Sequence, residues 1–294
     1  MAIPKIAPYR LDDALLPVVG KVDWTIEPKK AVLLVHDMQA YFADFYDCSQ
    51  EPIATMIANL QQLIKSARSN GIPVVYTAQP TNQDPSDRAL LTDFWGTGLQ
   101  DSHQSHHILD DVAPQSNETV YTKWRYSAFQ KSTFEADLRA QQKTQIIIAG
   151  VYAHIGILST ALEGFMRDFQ CFVIEDAVAD FSAEEHLWAR RWISGRCGKL
   201  YDTTSAVEQI NSATKQVDID IKALVSNILE TPISDISDTD NLADWGLDSV
   251  RLMAIADQLK ASGSAIDFMA LAERPTLSEW QAMLGSHSHS HSSN

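Results

Sequence analysis

The chain has 294 residues and a formal charge of −15, with 45% apolar and 21% charged residues. That length suits one mid-sized domain plus a small one, at about 100 to 200 residues per domain. No apolar run reaches the roughly 18 residues that span a bilayer, and an acidic chain repels phosphate backbones and anionic lipid, so neither membrane nor nucleic acid is expected as a partner.

The charge is uneven, because residues 215–285 carry five Lys/Arg against twelve Asp/Glu. A small acidic domain of this kind attracts proteins with basic surfaces. Met1–Arg10 contains Pro4 and Pro8 and no apolar h-region, so the cytoplasm is the expected compartment. Cys48, Cys171 and Cys197 are odd in number and widely spaced, which supports neither a disulfide framework nor a zinc site; they are expected to be buried thiols.

The stretch 31–37, AVLLVHD, is a continuous apolar run rich in β-branched residues, as expected for a strand covered on both faces of a parallel sheet. Comparable runs follow at 73–78, 119–123, 145–149, 171–176 and 198–201, giving six strands. Between them a helical period at 53–69 puts Ile53, Ile57, Leu60 and Ile64 on one face. Helices are also predicted over 132–141, opened by a Ser132-x-x-Glu135 capping box, over 155–167, and over 182–194 behind an N-cap at Ser182. Alternating elements with short connections predict an α/β, doubly wound, mainly parallel six-stranded sheet, which binds ligands beyond the carboxyl ends of its strands.

The first domain is expected over 1–208, with a polar linker at 209–217. Residues 218–285 then predict a small all-α four-helix bundle: a helix at 218–230, a polar loop to 248, a helix from Ser249, and short helical segments near 268 and at 276–284. The His/Ser tail 286–294 is low in complexity and expected to be disordered.

Three strand ends carry chemistry. His36-Asp37-Met38-Gln39 closes the first strand, where Asp37 serves either as an acid or as a helix cap. Lys123-Trp124-Arg125-Tyr126-Ser127 closes the run at 119–123, and Gly150-Val151-Tyr152-Ala153-His154 the run at 145–149. Strand alternation points His36 away from Asp37, so a packed core histidine is the better reading, and His154 is read likewise. His103, His106 and His107 lie in a polar loop with no carboxylate at metal spacing, and no metal is expected.

Taken together, HDMQ, YTAQP, KWRYSAF and GVYAHIG resemble the isochorismatase branch of the cysteine-hydrolase-like superfamily. Members of that superfamily usually work with an Asp, a Lys and a Cys early in the helix after the strand that ends here at Gly150. This chain reads Gly156-Ile157-Leu158 there, with isoleucine in place of the thiol. Amide hydrolysis through a thioester needs a thiolate, so that chemistry is disfavoured. A vinyl ether needs only a proton on its terminal methylene, after which water captures the oxocarbenium ion and the hemiketal collapses.

The resemblance therefore implies isochorismate as substrate, Asp37 as proton donor, and Lys123 as a holder of a carboxylate or polar oxygen. It further implies Gln79, Arg88, Trp95, Tyr126 and Tyr152 as substrate-binding candidates, with Phe42 beside them. Phe42, Trp95 and Trp124 would serve equally well as core, and Arg88 beside Asp87 equally well as a surface residue.

The segment NLADWGLDSVR, 241–251, places GLDS at the mouth of a helix and resembles the phosphopantetheine site of acyl and peptidyl carrier proteins, with Ser249 as the attachment residue. A hydroxyl at a helix N-terminus is exposed and well placed to carry a phosphodiester. Val250, Met253, Phe268 and Ala272 then form either an apolar docking patch or core.

Over nearly its whole length the chain resembles bifunctional isochorismatase/aryl carrier proteins of catechol siderophore synthesis. That implies 4'-phosphopantetheine as covalent cofactor, with a 2,3-dihydroxybenzoate-activating ligase, a phosphopantetheinyl transferase and nonribosomal peptide synthetase domains as partners, and self-association through the hydrolase. Two other readings stay open: a catalytically inactive scaffold with a working carrier, and an enol-ether hydrolase acting on an amino analogue of isochorismate.

Overall fold

The computed structural model describes residues 3–101, 106–215, 221–232, 234–261 and 266–287. His103, residues 216–217 of the expected linker and the tail from 288 onward lie outside them. The chain divides into two compact units, Met1–Ala213 and Thr214–Asn294.

The first unit holds six strands: β1 (Ala31–His36), β2 (Val74–Ala78), β3 (Thr119–Thr122), β4 (Gln145–Val151), β5 (Gln170–Ala179) and β6 (Gly198–Tyr201). They form one sheet in the order β3-β2-β1-β4-β5-β6, and every neighbouring pair is parallel. The order reverses between β1 and β4, both fully buried, and at such a switch point the loops beyond the strand ends diverge and leave a crevice.

Helices cover both faces: α1 (Ile53–Ser69), α2 (Phe134–Ala140), α3 (Leu158–Met166), α4 (Ala183–Arg196) and α5 (Thr203–Lys215). Leu33, Val35 and Ile147 pack with Met56, Leu60 and Ile210 on one face, while Leu34, Ile146 and Ile148 pack with Phe134, Ala161 and Ile193 on the other. Ser182 caps α4 by accepting from the Glu185 N–H, as its sequence predicts.

Three local expectations change. The Ser132-Glu135 capping box is not formed, because the Ser132 hydroxyl donates to Ala128 O at 2.6 Å and the helix starts at Phe134 behind Thr133. The helix after β4 opens with a π-turn over Ala153–Ile157 before α3 begins. Helix α5 runs to Lys215, into the span expected as linker, because Ala206 and Ile210, four residues apart, are both buried against α1.

The second unit contains α6 (Ile221–Leu229), a 3-10 turn at Leu242–Trp245, α7 (Ser249–Ala261), α8 (Phe268–Glu273) and α9 (Leu277–His287). Its core gathers Val225, Leu242, Ile255, Leu259 and Leu271 around Trp280, whose indole N–H donates to Leu271 O at 3.1 Å. Among the described residues, no helix is long and apolar enough to cross a membrane.

Candidate functional site

At the end of β1 the chain leaves the extended conformation, since Asp37 has φ of +51°. Its backbone N–H and its carboxylate both meet Thr77: the N–H donates to the Thr77 hydroxyl at 3.1 Å, which donates to Asp37 Oδ1 at 2.6 Å. The other carboxylate oxygen accepts from Lys123 Nζ at 2.9 Å. Asp37 and Lys123 are only 6% and 3% exposed, so this is a buried ion pair.

Burial pushes the Asp37 carboxyl up, but His36, the Lys123 ammonium and the Thr77 hydroxyl outweigh it and hold it below the ordinary carboxylate value. Burial drags His36 itself down to about 4, so at neutral pH its ring is neutral and the ammonium and hydroxyl sustain the effect. Burial also lowers the Lys123 ammonium, against the pull of Asp37.

His36 is wholly buried, as expected, but it does not point away from Asp37: its Nδ1 stands 3.7 Å from Asp37 Oδ2. Strand alternation applies only while the backbone stays extended, and the positive φ at Asp37 ends it.

Above the pair opens a cavity at the β1/β4 switch point, with about 60 Å³ of space for water-sized occupants. Asp37, Lys123, Gln79, Arg88 and Arg125 supply its polar lining, and Phe42, Trp95, Tyr126 and Tyr152 much of the apolar wall. All eight sequence candidates thus border one space. Arg88 is not a surface residue; it is 4% exposed, its Nε donates to Gly96 O at 2.5 Å, and its Nη1 is buried with no hydrogen-bond partner. Gly98 makes room for that guanidinium, since a Cβ there would run into Arg88 Nη1. The Trp95 indole N–H donates to the Tyr126 hydroxyl at 2.8 Å, and the Tyr152 hydroxyl donates to Phe42 O at 3.0 Å.

In the π-turn after β4, Gly156 lines the cavity while Ile157 is fully buried in the core. Gly156, together with Ile155, therefore borders the cavity, and Ile157 does not. His154 is not a core histidine either: its side chain is 22% exposed and its Nδ1 lies 2.5 Å from the buried Asp180 carboxylate, which raises its pKa against the effect of burial. His106 and His107 are exposed loop residues. Cys171 and Cys197 are buried, but Cys48 is exposed, because it sits in the polar turn between Tyr46 and Ile53.

In the helical unit, Ser249 is the first residue of α7 and is exposed. Asp248 caps the helix, its Oδ1 accepting from the N–H groups of Val250 and Arg251 at 3.0 and 2.9 Å. Ser249 therefore presents its hydroxyl to solvent at the positive end of a 13-residue helix, a setting that suits a phosphodiester. Val250 and Met253 are 78% and 49% exposed and Ala272 is exposed, whereas Phe268 is partly buried against the core.

The isochorismatase domain matches residues 31–205, which is most of the first unit. The chain belongs to the isochorismatase family. A phosphopantetheine attachment site domain matches residues 220–284. Across 97% of its length the chain is 42% identical to the isochorismatase of Bacillus subtilis (strain 168), covering 96% of it. It is 41% identical to enterobactin synthase component B of Escherichia coli (strain K12), over 97% of this chain and 98% of that protein. A phenazine biosynthesis protein of Pseudomonas fluorescens is 40% identical but covers only 70% of this chain. A cysteine hydrolase from Pseudomonas syringae pv. phaseolicola 1448A shares the fold, with a TM-score of 0.61 at 24% identity over 68% of this chain and 99% of that one.

Several residues that build the isochorismatase domain's site carry no individual mark in the sequence. Thr77 lies inside the YTAQP motif and Arg125, on the cavity wall, inside KWRYSAF, so their motifs mark the neighbourhood but not the contact. Gln39 is 1% exposed and clamps Gln79, accepting from its N–H at 2.7 Å and donating to its carbonyl at 3.0 Å. Phe181 joins the aromatic wall from the loop after β5, edge-on to Tyr152 at 4.7 Å between centroids, and no local motif signals it.

Proposed function

We propose that the chain is an isochorismatase fused to an aryl carrier. The first unit splits the vinyl ether of isochorismate into 2,3-dihydroxy-2,3-dihydrobenzoate and pyruvate. The second holds 2,3-dihydroxybenzoate as a thioester for siderophore assembly. The observation that carries this reading is the buried Asp37 carboxylate under a cavity that, among the described residues, no cysteine, serine or threonine lines.

Asp37 donates a proton to the terminal methylene of the enolpyruvyl group, converting CH2=C to CH3–C and leaving an oxocarbenium ion. Water adds to that carbon and returns a proton to Asp37, and the hemiketal collapses to pyruvate and the ring alcohol. In the resting site Lys123 keeps Asp37 ionised. A dianionic substrate reverses this balance, because its carboxylates bring negative charge beside Asp37 and draw on the same ammonium, so the proton is taken up on binding. The unpartnered Arg88 Nη1 donates to a substrate carboxylate oxygen, and Gln79, held by Gln39, presents polar atoms to the ring. Trp95, Tyr126, Tyr152 and Phe42 exclude bulk water from the ring faces.

Ser249 carries the phosphopantetheine arm, which supplies the thiol for the thioester. Likeness to enterobactin synthase component B along both units, rather than to the shorter phenazine protein, supports siderophore assembly. The partners are then a 2,3-dihydroxybenzoate-activating ligase, a phosphopantetheinyl transferase and synthetase domains. Turnover of isochorismate in oxygen-18 water tests the route: the ring diol retains only its original oxygen if the hemiketal forms, whereas label in the ring alcohol means displacement at the ring and refutes it.

A further inference from the structure

His36, which the reaction scheme leaves unused, lies against the site. His36 ends β1 with its Nδ1 2.8 Å from the carbonyl oxygen of Val151, a residue of the cavity wall, and 3.7 Å from Asp37 Oδ2. A carbonyl only accepts, so Nδ1 carries the hydrogen and Nε2 holds a lone pair. That Nε2 is buried and makes no well-formed hydrogen bond, although the Tyr126 backbone interacts with the ring. The ring lies directly against the Cα of Gly156, where an added Cβ would run into His36 Cε1 and stand 2.9 Å from Nε2 and 3.1 Å from Nδ1. The imidazole therefore fills the volume that a side chain at position 156 requires.

We propose that His36 is a positioning residue of the hydrolase: its ring holds the Val151 carbonyl and the Asp37 carboxylate in register, and it bars every side chain from position 156. The cavity floor beneath the reacting methylene is then bare backbone, open to substrate and water and closed to a nucleophile. His36 and Gly156 form one unit, because a side chain at position 156 displaces the imidazole. This inference rests on Asp37 being the proton donor.

A double-mutant cycle tests it, with wild type, Gly156→Ala, His36→Ala and the double variant read by thermal midpoint and by kcat and KM for pyruvate release. Gly156→Ala in the wild-type background forces the imidazole aside, lowering both the thermal midpoint and kcat, the latter on the order of 100-fold for a displacement of about 1 Å. In the His36→Ala background the same substitution costs far less in both readouts. His36→Ala alone lowers kcat and leaves KM within about threefold, because a displaced acid acts on the transition state rather than on ground-state binding. His36→Asn, which retains a donor for Val151 O, recovers part of that kcat, and it replaces alanine in the cycle if His36→Ala does not fold. Equal cost of Gly156→Ala in both backgrounds overturns the inference, and so does a His36 effect confined to KM or to the thermal midpoint. The coupling in the thermal midpoint does not depend on the role of Asp37, so failure of the proton-donor reading is seen separately, in an active Asp37→Asn enzyme.

Discussion

Acid should destabilise the hydrolase unit through His186, which lies outside the cavity. This residue is 0% exposed, with Nε2 3.0 Å from Glu175 O and Nδ1 3.2 Å from the Tyr9 hydroxyl. The carbonyl takes the Nε2 hydrogen, and the tyrosine hydroxyl donates to Nδ1, so the native site is built for a neutral ring. Burial moves its pKa from 6.5 down to about 4. Between those values the unfolded chain binds a proton that the native state refuses, so stability falls as pH falls through that window. Each tenfold change in proton affinity is worth about 1.4 kcal/mol, so the fall from 6.5 to about 4 amounts to ~3 kcal/mol. His186→Gln retains a donor for Glu175 O and removes the titration. Equilibrium urea unfolding, followed by near-ultraviolet circular dichroism at pH 7 and pH 4, should show wild type losing about 3 kcal/mol more than the variant over that interval. His36 shifts in the same direction but is common to both proteins and cancels. Parallel losses in the two proteins would refute the reasoning.

Three further outcomes follow from the site. Arg88→Met removes a charged hydrogen-bond donor of about 1.5 to 3 kcal/mol, so KM for isochorismate should rise roughly 10 to 150-fold with a smaller change in kcat; an unchanged KM would show that the unpartnered Nη1 meets no substrate oxygen. Thr77→Val deletes the 2.6 Å hydrogen bond to Asp37 and raises the carboxyl pKa, so the alkaline limb of the kcat profile, where the acid loses its proton, should move to higher pH. A limb that stays in place would separate Thr77 from the acid. Ser249→Ala should take up no phosphopantetheine from coenzyme A and a transferase while wild type gains one arm by intact-mass measurement, and modification of the variant would move the attachment site elsewhere.

Much of this architecture is written locally. The AVLLVHD run marks β1 because a strand buried on both faces needs continuous apolar residues, and the six runs recover the six strands in order. Asp37 and Lys123 are legible because each directly follows a strand at the rim of the sheet. Their 2.9 Å pairing is not, since residues 86 positions apart meet only through the strand order β3-β2-β1. The face taken by His36 escapes strand alternation because the left-handed turn at Asp37 is carried by a non-glycine residue, which leaves no compositional mark. Arg88 stands out in the sequence, but its burial does not: its partners are a backbone carbonyl and the space beside Gly98, and neither has a side-chain signature. Phe181 reaches the site from just past the end of β5, beside the Asp180 that accepts from the His154 N–H, in a stretch whose sequence reads as ordinary strand-to-helix connection.

Proton donation by Asp37 is the step on which the account of the hydrolase stands. The most direct measurement is kcat for pyruvate release from isochorismate by purified, folded Asp37→Asn beside wild type. A positioned general acid contributes about 100 to 10,000-fold, so the account predicts a loss of at least that order in the variant. Turnover by Asp37→Asn within a few-fold of wild type would contradict it.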